Sequence, residues 1–115
     1  MSNKSTDSFA CDVRARGVRV EVSPQRSFVL PHEHFIYAEF VADDRADSLV
    51  LMFVTHEVKL TGYLLRRVEL AMVNRDLAWL CARDTRLRPR DPDRPFILAV
   101  TVRALDPQPK EAELK

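Results

Sequence analysis

The sequence predicts an α+β domain, an antiparallel-rich sheet of five to six strands with one three-turn helix packed on one face. Three observations lead there. Apolar residues recur with a period of two through most of residues 18–60. After Thr61-Gly62 the period lengthens to that of a helix, and beyond it two short apolar runs return. A small β-barrel with one helix is the alternative arrangement of the same elements.

The elements follow in order. Residues 1–11 are polar at the start and read as a flexible arm, and residues 106–115, with two prolines and five charges, as a flexible tail. Residues 12–105 make a single domain. Val18, Val20 and Val22 alternate with Arg19 and Glu21, a half-buried strand ended by Ser23-Pro24. Phe28-Val29-Leu30 follows, and then a run from His34 to Val41 with apolar side chains on both faces, the mark of a central strand. Asp43-Asp44-Arg45-Ala46-Asp47 is a turn. Leu49–Val54 and Val58–Leu60 are apolar runs, and Thr55-His56-Glu57 between them is either a tight turn joining two strands or part of one long bent strand. Leu64, Val68, Ala71 and Met72 form one helical stripe, so Tyr63 to about Asn74 is an amphipathic helix, with Asn74 ending it in a left-handed turn. Leu77–Ala82, containing Trp79, and Phe96–Val102 are the last strands. If the strands before and after the helix are parallel in one sheet, they form a right-handed crossover.

Composition bounds the class of protein. The 115 residues are 46% hydrophobic and 30% charged, which fits one globular domain and excludes a collagen, a disulfide scaffold or a wholly disordered chain. The 18 basic and 17 acidic residues nearly cancel, so net charge argues for no nucleic-acid partner. The longest apolar run, Leu49–Val54, is far short of the roughly 20 residues of a spanning helix, and the first ten residues lack the apolar stretch of a signal peptide. The expectation is a cytoplasmic protein with no membrane contact. The two glycines, Gly17 and Gly62, are too few for a P-loop or a dinucleotide-binding fingerprint. Cys81 stands in an apolar run as a buried free thiol rather than a nucleophile, and Cys11 is too remote in sequence to be paired with it by inspection.

Two segments carry chemistry. Residues 83–95 hold five arginines (Arg83, Arg86, Arg88, Arg90, Arg94), three aspartates and three prolines between two apolar strands. Prolines favour extended backbone, which projects Arg86, Arg88 and Arg90 from one side. Guanidiniums so placed grip carboxylates or phosphates in bidentate fashion. The reading this favours is a non-enzymatic binding module, a protein-interaction or adaptor domain contacting an anionic partner through the arginine-rich loop. A protein partner or a second copy of the chain is expected, since one short helix cannot cover both faces of such a sheet. Contact with a nucleic-acid backbone through residues 83–94 is an alternative.

The second segment gathers the three histidines. In an extended strand His32 and His34 share a face about 6.5–7 Å apart, and His56 supplies a third imidazole. Three such ligands with an open position suit a divalent transition metal, so a metal-dependent enzyme is the other alternative, with Glu57 or Glu39 as base or further ligand. Glu33, Glu39 and Glu57 are the carboxylates available for acid–base work. His32-Glu33-His34 through Glu39 fits H-x-H-x4-E and resembles part of the first metal motif of cupins over eight residues. Arg26 stands where that motif carries a glycine and the second cupin motif has no counterpart, so no family is assigned.

Overall fold

Period-two alternation builds both sheets of the computed structural model, which describes residues 8–83 and 95–105. The elements run β1 (Phe9–Cys11), β2 (Gly17–Ser23), β3 (Arg26–Pro31), β4 (Phe35–Val41), β5 (Asp47–Phe53), β6 (His56–Tyr63), α1 (Arg66–Val73), β7 (Leu77–Cys81) and β8 (Phe96–Ala104). They form two open four-stranded sheets, ordered β1-β7-β2-β3 and β4-β5-β6-β8. The strands therefore number eight rather than five or six among the described residues, and neither sheet closes into a barrel. No helix among these residues is long and apolar enough to cross a membrane.

In the first sheet Val18 and Val20 of β2 are fully buried while Arg19 between them is exposed. Their partners across the β2–β3 hairpin, Leu30 and Phe28, line the same inner face. The hairpin turn is stabilised locally, with the Gln25 N–H donating to Ser23 Oγ. In the second sheet Leu49, Leu51 and Phe53 of β5 lie beside Leu60 and Val58 of β6, all fully buried. The buried residues of both sheets join in one cluster, so each sheet covers the inner face of the other. Each such side chain contributes about 1.5–3 kcal/mol relative to an exposed one. The face that one short helix had seemed unable to cover is covered by a second sheet from the same chain.

Strand β7 pairs parallel to β2 and antiparallel to β1. It does not share a sheet with β6, so the expected β6-helix-β7 crossover is replaced by a passage from one sheet to the other. Residues 9–11, assigned by sequence to a flexible arm, form edge strand β1 instead. Its Phe9 packs on the core while Ala10 and Cys11 are exposed, so three residues are too few for an alternating pattern to register.

The helix is eight residues long, two turns rather than three. Leu64 takes a left-handed backbone, φ 58°, and so stands outside it. Asp47, from the start of β5, accepts the free Leu65 N–H at 3.2 Å and so caps the helix from another element. At the other end Arg75, not Asn74, is left-handed at φ 62°. The Arg75 N–H reaches the Met72 carbonyl and the Asp76 N–H that of Ala71, the pair of bonds of a Schellman stop. Between these ends Leu65, Val68, Ala71 and Met72 enter the core, and the helix rests on β4 of one sheet and β7 of the other. The Arg66 guanidinium lies 4.1 Å above the Phe40 ring on its outer side.

Gly62 is needed for a close approach. A Cβ there would collide with the Phe96 carbonyl oxygen and stand 2.9 Å from the Ile97 Cα, where β6 and β8 slip register. Backbone atoms cannot yield as a flexible side chain does. Gly62→Ala is expected to cost about 2–3 kcal/mol, read from the midpoint of urea unfolding. A midpoint equal to that of the parent chain contradicts this account of the strand crossing.

Candidate functional site

The base of the arginine-rich segment is fixed by backbone chemistry. β7 ends at Cys81, and two residues later the Arg83 N–H donates to the Ile97 carbonyl of β8 at 2.9 Å. The Ile97 N–H in turn donates to Ser8 Oγ at 3.0 Å, and the Cys81 N–H to the Ser8 carbonyl at 2.9 Å. Ser8 is 1% exposed. A buried serine with both oxygens engaged ties the two strands that flank the segment, one from each sheet. A lone serine in a polar stretch carries no periodic signal, so sequence reading passed over it.

Arg83 sits at the edge of the first sheet's outer face, its guanidinium 5.6 Å from the Trp79 ring centre. Strand geometry explains the neighbours. Arg19 pairs with Trp79 and Glu21 with Cys81, opposite in sense to the buried pair Val20 and Leu80. The Trp79 indole N–H donates to Glu21 Oε2 at 2.9 Å. Arg19 Nη1 reaches Ser27 Oγ at 3.4 Å. Glu21, Cys81 and Arg83 border a depression of about 330 Å³. This aromatic platform beside a guanidinium was legible only in part. The spacing of Trp79 and Arg83 places them on one side of an extended chain, whereas Glu21 comes from a distant strand. Arg86, Arg88, Arg90 and Arg94 lie outside the described residues.

Burial pushes the Cys81 thiol up from its ordinary value, with the Glu21 carboxylate adding to the rise and the Arg83 guanidinium opposing it. At 5% exposure, and with the neutral form favoured, Cys81 is a buried thiol rather than a nucleophile.

The histidines fall differently from the strand reading. His32–His34 is a 3-10 turn, not extended chain. With three residues per turn, positions two apart point about 120° from each other, so His32 and His34 do not share a face. His32 is buried, its backbone N–H on the Arg16 carbonyl and its Nε2–H donating to the Leu77 carbonyl at 2.9 Å. Its Nδ1 is buried with no partner. The ring thus spans from the turn to β7. His56 begins β6, hydrogen-bonded to Thr55 through Nδ1 at 2.8 Å and tilted against Phe28 at 5.3 Å. Among the described residues no three His, Cys, Asp or Glu side chains are grouped so as to hold a metal ion. Glu33 is exposed in the turn, Glu39 is exposed on β4, and Glu57 pairs with Arg103 at 2.7 Å. The three carboxylates do not converge.

At the helix end, Cys11 lies beside Asp76 in a depression of about 230 Å³ also bordered by Leu70 and Asn74. Partial burial raises the Cys11 thiol, and the neighbouring Asp76 carboxylate raises it further by opposing a second negative charge.

No family model matches the chain, and no curated protein or solved structure shows significant similarity to it.

The Cys11–Asp76 pair gives a signed expectation. Removing the carboxylate charge favours the thiolate, so Asp76→Asn is expected to speed alkylation of Cys11 by iodoacetamide at pH 7.5 by a few-fold, the rate depending on the thiolate fraction. Mass spectrometry of the labelled folded protein checks it, with Cys81 remaining unlabelled. A slower Cys11 reaction in the variant refutes it.

Proposed function

We propose that the chain is a non-enzymatic protein-interaction or adaptor module that contacts an anionic partner through residues 83–94. Arg86, Arg88 and Arg90 make the principal contacts, with Arg83 and Arg94 flanking them. The observation that carries this reading is the fixed stem. Ser8 and the Arg83–Ile97 hydrogen bond hold the start and return of the segment at the junction of two sheets. A basic segment displayed from a rigid base loses less conformational freedom on binding than one on a free terminus. Five arginines against Asp84, Asp91 and Asp93 leave the segment net positive in an otherwise balanced chain. The Trp79 ring next to Arg83 adds a planar surface on which a partner's side chain can rest.

The chemistry of recognition is bidentate. Each guanidinium presents paired N–H donors to a carboxylate. A phosphate backbone satisfies the same donors, so nucleic-acid binding through residues 83–94 is the second reading. Even so, the arginines are not interleaved with aromatics in sequence as in a stacking surface for single strands. A metal-dependent enzyme on His32, His34 and His56 draws no support from the 3-10 turn or from the bonds those rings already make.

The test is direct binding of a fluorescent twelve-residue Glu-rich peptide and, separately, a fluorescent twenty-base-pair DNA duplex, each at low salt. The Arg86→Ala/Arg88→Ala/Arg90→Ala variant is expected to keep the parent circular dichroism and lose the peptide by about tenfold or more. Equal peptide affinity in the triple variant, or no peptide binding by the parent, overturns the reading. Duplex binding that exceeds peptide binding and falls steeply with salt favours the phosphate-backbone alternative.

A further inference from the structure

We propose that the outer face of the second sheet is a self-association surface on which two copies of this chain pair about a two-fold axis running along β5. This stands independently of the reading of the arginine-rich residues.

The face is open and mixed in character. Across β4, β5 and β6 the register aligns Glu39, Val50 and Lys59 in one row, and Tyr37, Met52 and Glu57 in the next. The core residues Leu49 and Leu51 alternate with these, so Val50 and Met52 point away from the core. Tyr37 and Val41 are each 51% exposed, and Glu39 and Lys59 are both exposed. The middle of the face is thus apolar, with Glu39 on the β4 flank and Lys59 on the β6 flank, where Glu57 is already held by Arg103 of β8. Strands roughly 4.8 Å apart put the Cα atoms of Glu39 and Lys59 about 10 Å from each other, on opposite sides of Val50.

That pattern is self-complementary about an axis along β5. A two-fold axis lying in the plane of contact along β5 exchanges the two flanks. Each β4 then lies over the partner's β6, Glu39 meets the partner's Lys59 twice, and Tyr37 reaches the partner's Glu57. Val50 and Met52 meet their own copies at the axis. An axis across the strands through that row instead sets Glu39 against Glu39 and Lys59 against Lys59, and one midway between the rows leaves Glu39 without a basic partner and offers Lys59 only Glu57, which Arg103 already holds. Isologous pairing repeats each contact, so both favourable charge pairs arise from one choice of axis. The aligned class of sheet packing, with strand directions about 30° apart, is compatible with this placement.

Size sets the strength. The three strands that overlap about this axis, seven to eight residues each, present a footprint of roughly 350 Å². Stable complexes bury about 800 Å² per partner, so the dimer belongs to the weak class, with a dissociation constant on the order of 100 µM.

Sedimentation velocity from about 10 µM to 1 mM tests the proposal. The parent chain is expected to move from monomer to dimer across that range. Glu39→Lys alone, or Lys59→Glu alone, sets like charges face to face at both contacts and is expected to weaken dimerisation about tenfold. An equal mixture of the two variants is expected to restore the dimer, because each copy then meets its opposite charge. Circular dichroism confirms folding, which substitutions at these exposed positions leave intact. A monomer at every concentration overturns the proposal. So does a dimer that ignores both charge reversals, or a mixture that fails to restore association.

Discussion

Ile97 is bonded through both of its backbone polar groups at the seam between the sheets, and the arrangement of the whole domain depends on that seam. Its N–H goes to the Ser8 hydroxyl and its carbonyl takes the Arg83 N–H. Ser8 closes the circuit by accepting from Cys81. Buried amides and hydroxyls left without partners are costly, so satisfying all of them at one point sets where β1, β7 and β8 meet. The buried residues of both inner faces then join in one apolar cluster. α1 completes the enclosure by resting on a strand from each sheet.

The two outward faces differ in kind. The first sheet turns out Arg19, Glu21 and Trp79, with Arg83 at its edge, a polar surface organised around one indole. The second turns out Val50, Met52 and Tyr37 between opposite charges. One face suits a charged ligand held at its margin, the other a flat apolar partner. The proposed anionic partner and the proposed second copy would therefore occupy different faces.

Strand positions were the most legible part of this fold, because a half-buried strand must alternate. Val18 and Val20, or Leu49 and Leu51, report burial directly in their spacing. The division into two sheets was not legible. Alternation tells which side of a strand is buried but not what buries it, and the parallel β2–β7 pairing joins residues far apart in the chain. Helix ends were misplaced because Leu64 and Arg75 adopt left-handed backbone, a role that glycine or asparagine usually signals. His32-Glu33-His34 misled for a related reason: a two-residue spacing means one face in a strand and two faces in a 3-10 turn. Of the candidate site, the arginines were plain from composition. Ser8 and Glu21, which steady the stem and the indole, were not, since each acts through a partner strand remote in sequence.

The insertion of β7 between β1 and β2 bears on how the chain reaches this state. The meander β4-β5-β6 pairs neighbours in sequence and can close early. The β2–β3 hairpin is equally local. β1, by contrast, has no pairing partner until residues 77–81 exist, and β6 lacks its outer neighbour until β8 arrives. The long loops these pairings close must be paid for in entropy before the core repays it. The chain thus joins two locally paired fragments through long-range pairings, and the strands that make those pairings, β1, β7 and β8, meet at Ser8 and Ile97.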